Sequence, residues 1–567
     1  MERRRFPPAI VGMLACLTLF FGVFLFYPVG YMLRGAFFVE GKFTLEFFRL
    51  ALASPLVRES VATSFWLGVL VTLFTTLLTL PLAHLFTRYR FFGKGLLGAL
   101  LLVPMIMPPF VGAIGMRQVF GQYGSLNLVL AKLGCMDLAR PIDWLGGGGF
   151  WGVVILETLN LYPIMFLNVS AAMANVDPTL REAADNLGAS PWQVFRTITV
   201  PLILPGYFAG AILVFIWAFT DLGTPLIFGL NRVVSVQIFD RVSDVATNPM
   251  GFVLVCIVLV LTVVLFLVSR RLVGAKRYEM LARGHTAGAE VVLRGWPAVA
   301  AVAGVLLVVC LSLLPHVSVL LQSFAQRWFF TVLPGEMTWQ NYEQIFQHPL
   351  TVLSIRNSLF YSSLSAGVDL VLGVMIAYLL TRRKIPGAVV LDAVAMLPLA
   401  LPGLVLAFGY VGGFNWDVAW LNPRNNPIVL LVIAYSVRRL PYIVRSAYAG
   451  FQQTSISLEE ASLNLGASSL RTLRKITIPL VMANLVAGGV LTFSYAMLEV
   501  SDSLILAMRE NFYPITKAIY SLMSRIEPNA PSVASALGIL GMILLTASLF
   551  LASRVLGKRM GQLFRAG

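Results

Sequence analysis

The sequence predicts an all-α polytopic membrane protein. Two six-helix repeats in parallel orientation, with about twelve transmembrane helices in all, are related by a pseudo-two-fold axis along the membrane normal. Three observations carry this reading. The 567-residue chain is 58% hydrophobic and only 12% charged, with a mean hydropathy of +0.83, whereas a soluble domain carries about 25% charged residues. Apolar runs long enough to cross a hydrocarbon core of roughly 30 Å recur along it, as helices that satisfy their own backbone hydrogen bonds. Finally, a polar island, Glu182-Ala183-Ala184-Asp185-Asn186-Leu187-Gly188-Ala189-Ser190, returns 278 residues later as Glu460-Ala461-Ser462-Leu463-Asn464-Leu465-Gly466-Ala467-Ser468.

The first apolar run, Ala9 to Leu33, follows Arg3-Arg4-Arg5 and so imitates a signal peptide. It is longer than the usual core of about 7–15 residues and lacks a small-residue cleavage site, which predicts an uncleaved span with its N-terminus in the cytoplasm. Further runs lie at 61–86, 96–119, 149–174, 204–229 and 250–269, then at 297–321, 357–381, 388–413, 427–448, 481–507 and 533–555. Six spans per half place both termini in the cytoplasm. Lysine and arginine then concentrate in the predicted cytoplasmic turns, such as Thr87-Arg88-Tyr89-Arg90 and Thr381-Arg382-Arg383-Lys384, as the positive-inside rule requires. The net charge of +16 is thereby explained by the lipid bilayer, with no nucleic acid as partner.

The expected domains are 1–270 and 297–567, joined by a basic cytoplasmic linker at 271–296. External segments 34–58 and 322–355 carry amphipathic pieces such as Trp339-Gln340-Asn341-Tyr342 and are too short to form a receptor domain. Four cysteines (Cys16, Cys135, Cys256, Cys310) and four histidines (His84, His285, His316, His348) show neither a disulfide framework nor metal-ligand spacing. No metal site and no cofactor are expected.

The repeat extends beyond the polar island. From Glu182 to Leu202, twelve of twenty-one positions are identical in the second copy. Pro163 and Pro441 keep the 278-residue offset, while Thr87-Arg88 and Pro104/Pro108 recur at 294 as Thr381-Arg382 and Pro398/Pro402. The difference is taken up in the external loop around Gly124 to Gly149, where length variation is tolerated. The four repeated prolines break helix ladders inside spans, as static kinks or as hinges.

The island itself reads as a helix-turn-helix. Asp177-Pro178 starts a helix with an acidic cap and Pro at the first position. Gly188 ends it, where a left-handed residue is least costly, and Ser190-Pro191 starts a second helix expected to end near Pro201. The Glu-Ala-Ala opening, the Gly at the turn and the apolar-Pro-Leu exit resemble the EAA loop of permease subunits of binding-protein-dependent ABC importers. That resemblance covers nearly the whole chain, as two permease domains fused in one polypeptide.

It implies that the loops dock on an ATP-binding ABC subunit, present in two copies, through Glu182, Ala183 and Gly188 and through Glu460, Ala461 and Gly466. It further implies a periplasmic or extracellular solute-binding protein as partner and a bacterial inner membrane as location. The substitutions Ala184/Ser462 and Asp185/Leu463 imply unequal grips. Gly41-Lys42 and Gly93-Lys94 lack the spacing of a phosphate-binding loop, so ATP hydrolysis is expected in separate subunits; the chain is a transporter subunit without catalytic residues.

Six acids lie in apolar runs: Glu157, Asp221, Asp369, Asp392, Glu499 and Asp502. Facing lipid at mid-helix each would cost roughly 2.5–3.5 kcal/mol or more, so they are expected to face the bundle interior. Asp221 and Glu499 occupy equivalent positions and, with Glu157 and Asp502, are the expected pathway residues. The competing expectation is that they pair with Arg438 and Arg439 and hold the bundle together. The fused form and the Val437-Arg438-Arg439-Leu440-Pro441-Tyr442 run resemble ferric iron permeases most, with thiamine and 2-aminoethylphosphonate permeases close behind and polyamines as a further cargo. An ion-coupled secondary transporter would use Asp221 and Glu499 as coupling carboxylates, but leaves the duplicated loop without a role.

Overall fold

The computed structural model describes residues 7–39, 41–245, 248–274, 290–383, 385–416, 418 and 420–556. Most of the expected linker, 275–289, lies outside the described residues; of its flanks, Val291–Val292 pairs in parallel with Tyr89–Arg90.

Among the described residues, nine helices are long and apolar enough to cross a membrane without interruption. They are Pro8–Phe37, Pro55–Arg88, Gly147–Ala174, Pro191–Thr220, Met250–Ser269, Trp296–Phe324, Pro349–Arg382, Ser469–Met497 and Ala530–Leu551. Proline opens several of them, at a position whose N–H has no intrahelical acceptor to lose. The expected third and ninth spans are not continuous. Lys94–Ile106 turns by 97° into Pro109–Lys132, and Ala388–Leu399 turns by 97° into Gly403–Gly413. The repeated prolines cause both bends: Met107, held extended by the proline after it, and Pro108 (φ −58°, ψ 136°) interrupt the first, and Pro402 (φ −61°, ψ 138°) the second. The tenth expected span is the helix Ile428–Gln453, every full span-length stretch of which carries Arg438, Arg439 and Arg445.

The fifth and eleventh spans also differ from expectation. Their helices end at Thr220 and Met497, and short helices Gly223–Phe228 and Ser501–Leu506 follow. Nor does the helix beginning at Pro191 stop near Pro201. It runs on through a π-turn at Phe195–Thr199, repeated at Leu473–Thr477. There the Val200 N–H donates to the Phe195 carbonyl, and the wider turn admits a proline that cannot donate into the α-helical ladder.

The chain forms two compact units, and these cut across the sequence halves. One comprises Met1–Pro55, Gln237–Leu259 and Tyr342–Gly561. Within it the first span packs on Gly403–Gly413: Tyr410 Oη donates to the Phe24 carbonyl (2.6 Å) and Tyr27 Oη to the Gly413 carbonyl (2.8 Å). Its core joins the eighth, tenth and eleventh spans through Ala377, Ala447, Phe451, Val481 and Leu485.

The other unit comprises Leu56–Val236 and Val260–Asn341. Here the seventh span, Trp296–Phe324, packs on Pro109–Phe120, and Ser318 Oγ donates to the Gly115 carbonyl (2.9 Å). Each unit contains the same glycine crossing. A side chain at Gly210 would meet Met165 and Asn168, and one at Gly488 would meet their equivalents Ile443 and Ser446. Small residues let membrane helices approach this closely.

Candidate functional site

Both copies of the polar island fold as the same exposed helix pair. The first helix is Pro178–Asn186, capped by Asp177, whose carboxylate accepts from the Thr179 N–H (2.9 Å) and hydroxyl (2.8 Å). Ile456–Asn464 is its counterpart, capped by Ser455. Each ends in a Schellman motif: Ala189 N–H donates to Ala184 (3.0 Å) and Gly188 N–H to Asp185 (3.0 Å), matched by Ala467 to Ser462 (3.1 Å) and Gly466 to Leu463 (2.9 Å). The motif needs a left-handed residue, and Gly188 (φ +78°) and Gly466 (φ +85°) supply it. Ser190 and Gln193 then form a reciprocal capping box, and Ser468 caps the second copy alone.

This geometry fixes what the surface offers. Glu182, Ala183 and Gly188, like Glu460, Ala461 and Gly466, are exposed along the pairs. Of the apolar side chains beside them, the sequence points to Leu187, on a short, partly apolar face with Ala183 and Ala184, and sequence reasoning missed Leu465, Trp192 and Leu470. Leu187 and Leu465 stand at the turns, 88% and 89% exposed, and Trp192 and Leu470 are exposed at equivalent places on the second helices. Apolar side chains held out on a rigid turn favour insertion into a partner's groove. The copies differ inside: Ser462 and Thr472 hydrogen-bond at 2.9 Å, where the first copy has Ala184 and Val194.

The four expected pathway acids lie in two buried clusters, one per unit. In one, Arg438 and Arg439 both pair with Glu499, and Arg438 reaches Asp502 at 3.4 Å. Glu499 is 3% exposed and Asp502 0%. Thr516 and Ser503 hydroxyls donate to the Glu499 carbonyl (2.8 and 2.6 Å), and Arg439 lies over the Tyr495 ring. The guanidinium of Arg438 occupies the space a side chain at Gly403 would need, so the bend of the ninth span rests on this cluster. Asp369 is fully buried nearby, its carboxylate without a hydrogen-bond donor among the described residues. Asp392 does not join; it pairs with Arg445 at 3.2 Å, partly exposed.

In the other unit Asp221, the equivalent of Glu499, lies with Glu157, which stands in the place of Tyr435, and neither acid pairs with an arginine among the described residues. Asp221 accepts from the Thr224 N–H (2.9 Å), and the Thr224 hydroxyl donates to Glu157 (2.9 Å). Asn160 and Leu161 stand where Arg438 and Arg439 stand in the second repeat. No group of three His, Cys, Asp or Glu gathers as a metal-ion site among the described residues.

Residues 75–278 and 369–562 each match one family, described as the binding-protein-dependent transport system inner membrane component. The chain belongs to this family. The permease is 25% identical over 562 residues to the ferric transport system permease protein FbpB of Actinobacillus pleuropneumoniae, covering 97% of this chain and 78% of the relative. It is 27% identical to a putative ferric transport system permease protein FbpB 1 of Haemophilus influenzae, covering 87% and 77%. The molybdenum transport system permease protein ModB of Haemophilus influenzae is 31% identical over 29% of this chain and 70% of the relative. The permease is thus a multi-pass inner-membrane component of a binding-protein-dependent ABC importer, with two family domains in one chain. It works with a solute-binding protein and ABC partners.

Proposed function

We propose that this permease carries ferric iron inward, delivered by a solute-binding protein and driven by ATP hydrolysed in two separate subunits. The observation that carries the iron reading is the extent of the ferric matches: they run through both repeats, 97% and 87% of the chain. In this reading the termini face the cytoplasm, and 1–270 and 297–567 are the two permease domains. The exposed helix pairs around Glu182, Ala183 and Gly188 and around Glu460, Ala461 and Gly466 are the coupling elements, with Leu187 and Leu465 seated in the ATPase subunits. Asp221, Glu157, Glu499 and Asp502 flank the translocation pathway. Glu157 and Asp221, with which no arginine pairs among the described residues, offer it carboxyl oxygens that favour a cationic cargo.

Reconstitution with the ATPase subunit and candidate binding proteins tests this. Ferric-loaded binding protein should raise ATP hydrolysis severalfold over the empty form. Stimulation by molybdate-loaded protein instead would favour an oxyanion cargo, the second reading, which rests on the molybdenum permease match. Thiamine-, aminoethylphosphonate- and polyamine-loaded proteins complete the set. Intact ATP-driven uptake after replacing both Glu182 and Glu460 would sink the coupling assignment.

A further inference from the structure

The two repeats treat one basic position in opposite ways. In the second, the eighth span ends at Arg382, whose Nε donates to Glu459 (2.8 Å) and whose Nη2 donates to the Thr454 carbonyl (2.9 Å). Arg382 and Glu459 side chains are only 5% and 12% exposed. The pair closes the junction between span and helix pair.

In the first repeat the equivalent span ends at the equivalent arginine, Arg88. The residue in the place of Glu459, however, is Arg181. The two arginines line a cavity of about 340 Å³ together with His84, Asn175 and Thr199. Among the described residues neither arginine forms an ion pair. The acids of the cavity do not replace Glu459: Asp177 caps its helix at Thr179, Glu290 pairs with Lys94 at 2.9 Å, and Glu182 and Asp185 are exposed on the helix. Burial, and next the charge of Arg88, hold Arg181 below the usual guanidinium range despite the opposing pull of Asp185.

We propose that this cavity is an oxyanion site in which Arg88 and Arg181 together take one phosphate group, supplying the negative charge that Glu459 provides in the second repeat. Guanidinium forks match phosphate oxygens bidentately, and a phosphate with part of its hydration shell fits the volume. The phosphate is either free in solution or borne by a lipid headgroup, since Arg88 ends a membrane span.

The full chain, lipid-stripped in a maltoside detergent, distinguishes the sources. One arm measures orthophosphate binding by equilibrium dialysis; the other measures retention of phosphatidylglycerol by native mass spectrometry. One equivalent is expected in one arm, and Arg181→Glu, which rebuilds the Arg382–Glu459 pair against Arg88, should weaken it at least tenfold while leaving the melting temperature unchanged or higher. Arg88→Gln should weaken it similarly and serves if Arg181→Glu misfolds. Absence of binding in both arms, or wild-type binding by the charge-reversed protein, overturns the proposal.

Discussion

Glu499 is the residue on which the buried charge of the second repeat depends. It answers two guanidiniums at once, so Glu499→Gln leaves two cations facing one remaining carboxylate in a dry site. Breaking a buried pair in this way costs roughly 3–5 kcal/mol, and a large loss of thermal stability in detergent is expected. The equivalent Asp221→Asn should cost about 1 kcal/mol or less, because an amide oxygen can still accept the Thr224 N–H and no arginine is orphaned. Equal losses in the two variants would show that the arginine pairing has no energetic weight. Lys517 offers a separate test through pH. Its ammonium donates to the Leu504 carbonyl (2.8 Å) and lies over the Phe239, Tyr513 and Tyr520 rings. Burial pushes it down to about 8 from 10.5. Between those values the folded protein has released a proton that the unfolded chain retains, so stability rises with pH across that window. Melting temperatures of wild type and Lys517→Met at pH 7.5 and about pH 10 should diverge, only the wild type gaining from the lysine.

At the scale of the element, the helix pairs explain why so much of this site was legible in the chain. Caps and turns are local chemistry, so Asp177-Pro178, Gly188 and Ser190 declared the first helix, its stop and the next start. Replacing Gly188 and Gly466 by Ala should cost roughly 1–2 kcal/mol each for the forced left-handed residue and loosen both turns, read as weaker co-purification of the ATPase subunit. Leu187→Asp with Leu465→Asp should abolish co-purification without altering folding, because both side chains are almost fully exposed. Persistent binding would remove the leucines from the interface. What sequence could not supply was the partner of each charge. Arg438 and Glu499 are 61 residues apart, and which faces of two spans meet is decided by packing, including the Gly488 crossing. The π-turns were equally hidden, since a hydrophobic helix reads the same with or without one extra residue in a turn. The bends were half visible: the prolines announced a break, but its angle is set by what packs against it, including Gly403 on Arg438.

At the scale of the whole molecule, the apolar runs and their duplication were enough to assign an α-helical bundle of two repeats, because lipid permits few other solutions. The composition of the compact units was not legible, for apolar spans carry little information about which neighbour they choose. Each unit draws on both sequence halves. Residues 297–567 expressed alone should therefore be poorly stable, lacking the span that Tyr410 and Gly413 hold, and co-expression with 1–270 should restore a monodisperse protein. A stable, well-dispersed second half on its own would contradict this. The same hydrogen bond sets a schedule for biosynthesis. Phe24 and Tyr410 lie 386 residues apart, so at about 5–20 residues per second the span that carries Phe24 waits on the order of 20–80 s before Tyr410 exists. During that interval the face that Tyr410 will cover stays open, although Phe252 of the sixth span can already pack on Tyr31, which gives insertion chaperones and membrane proteases a long opportunity to act on this chain.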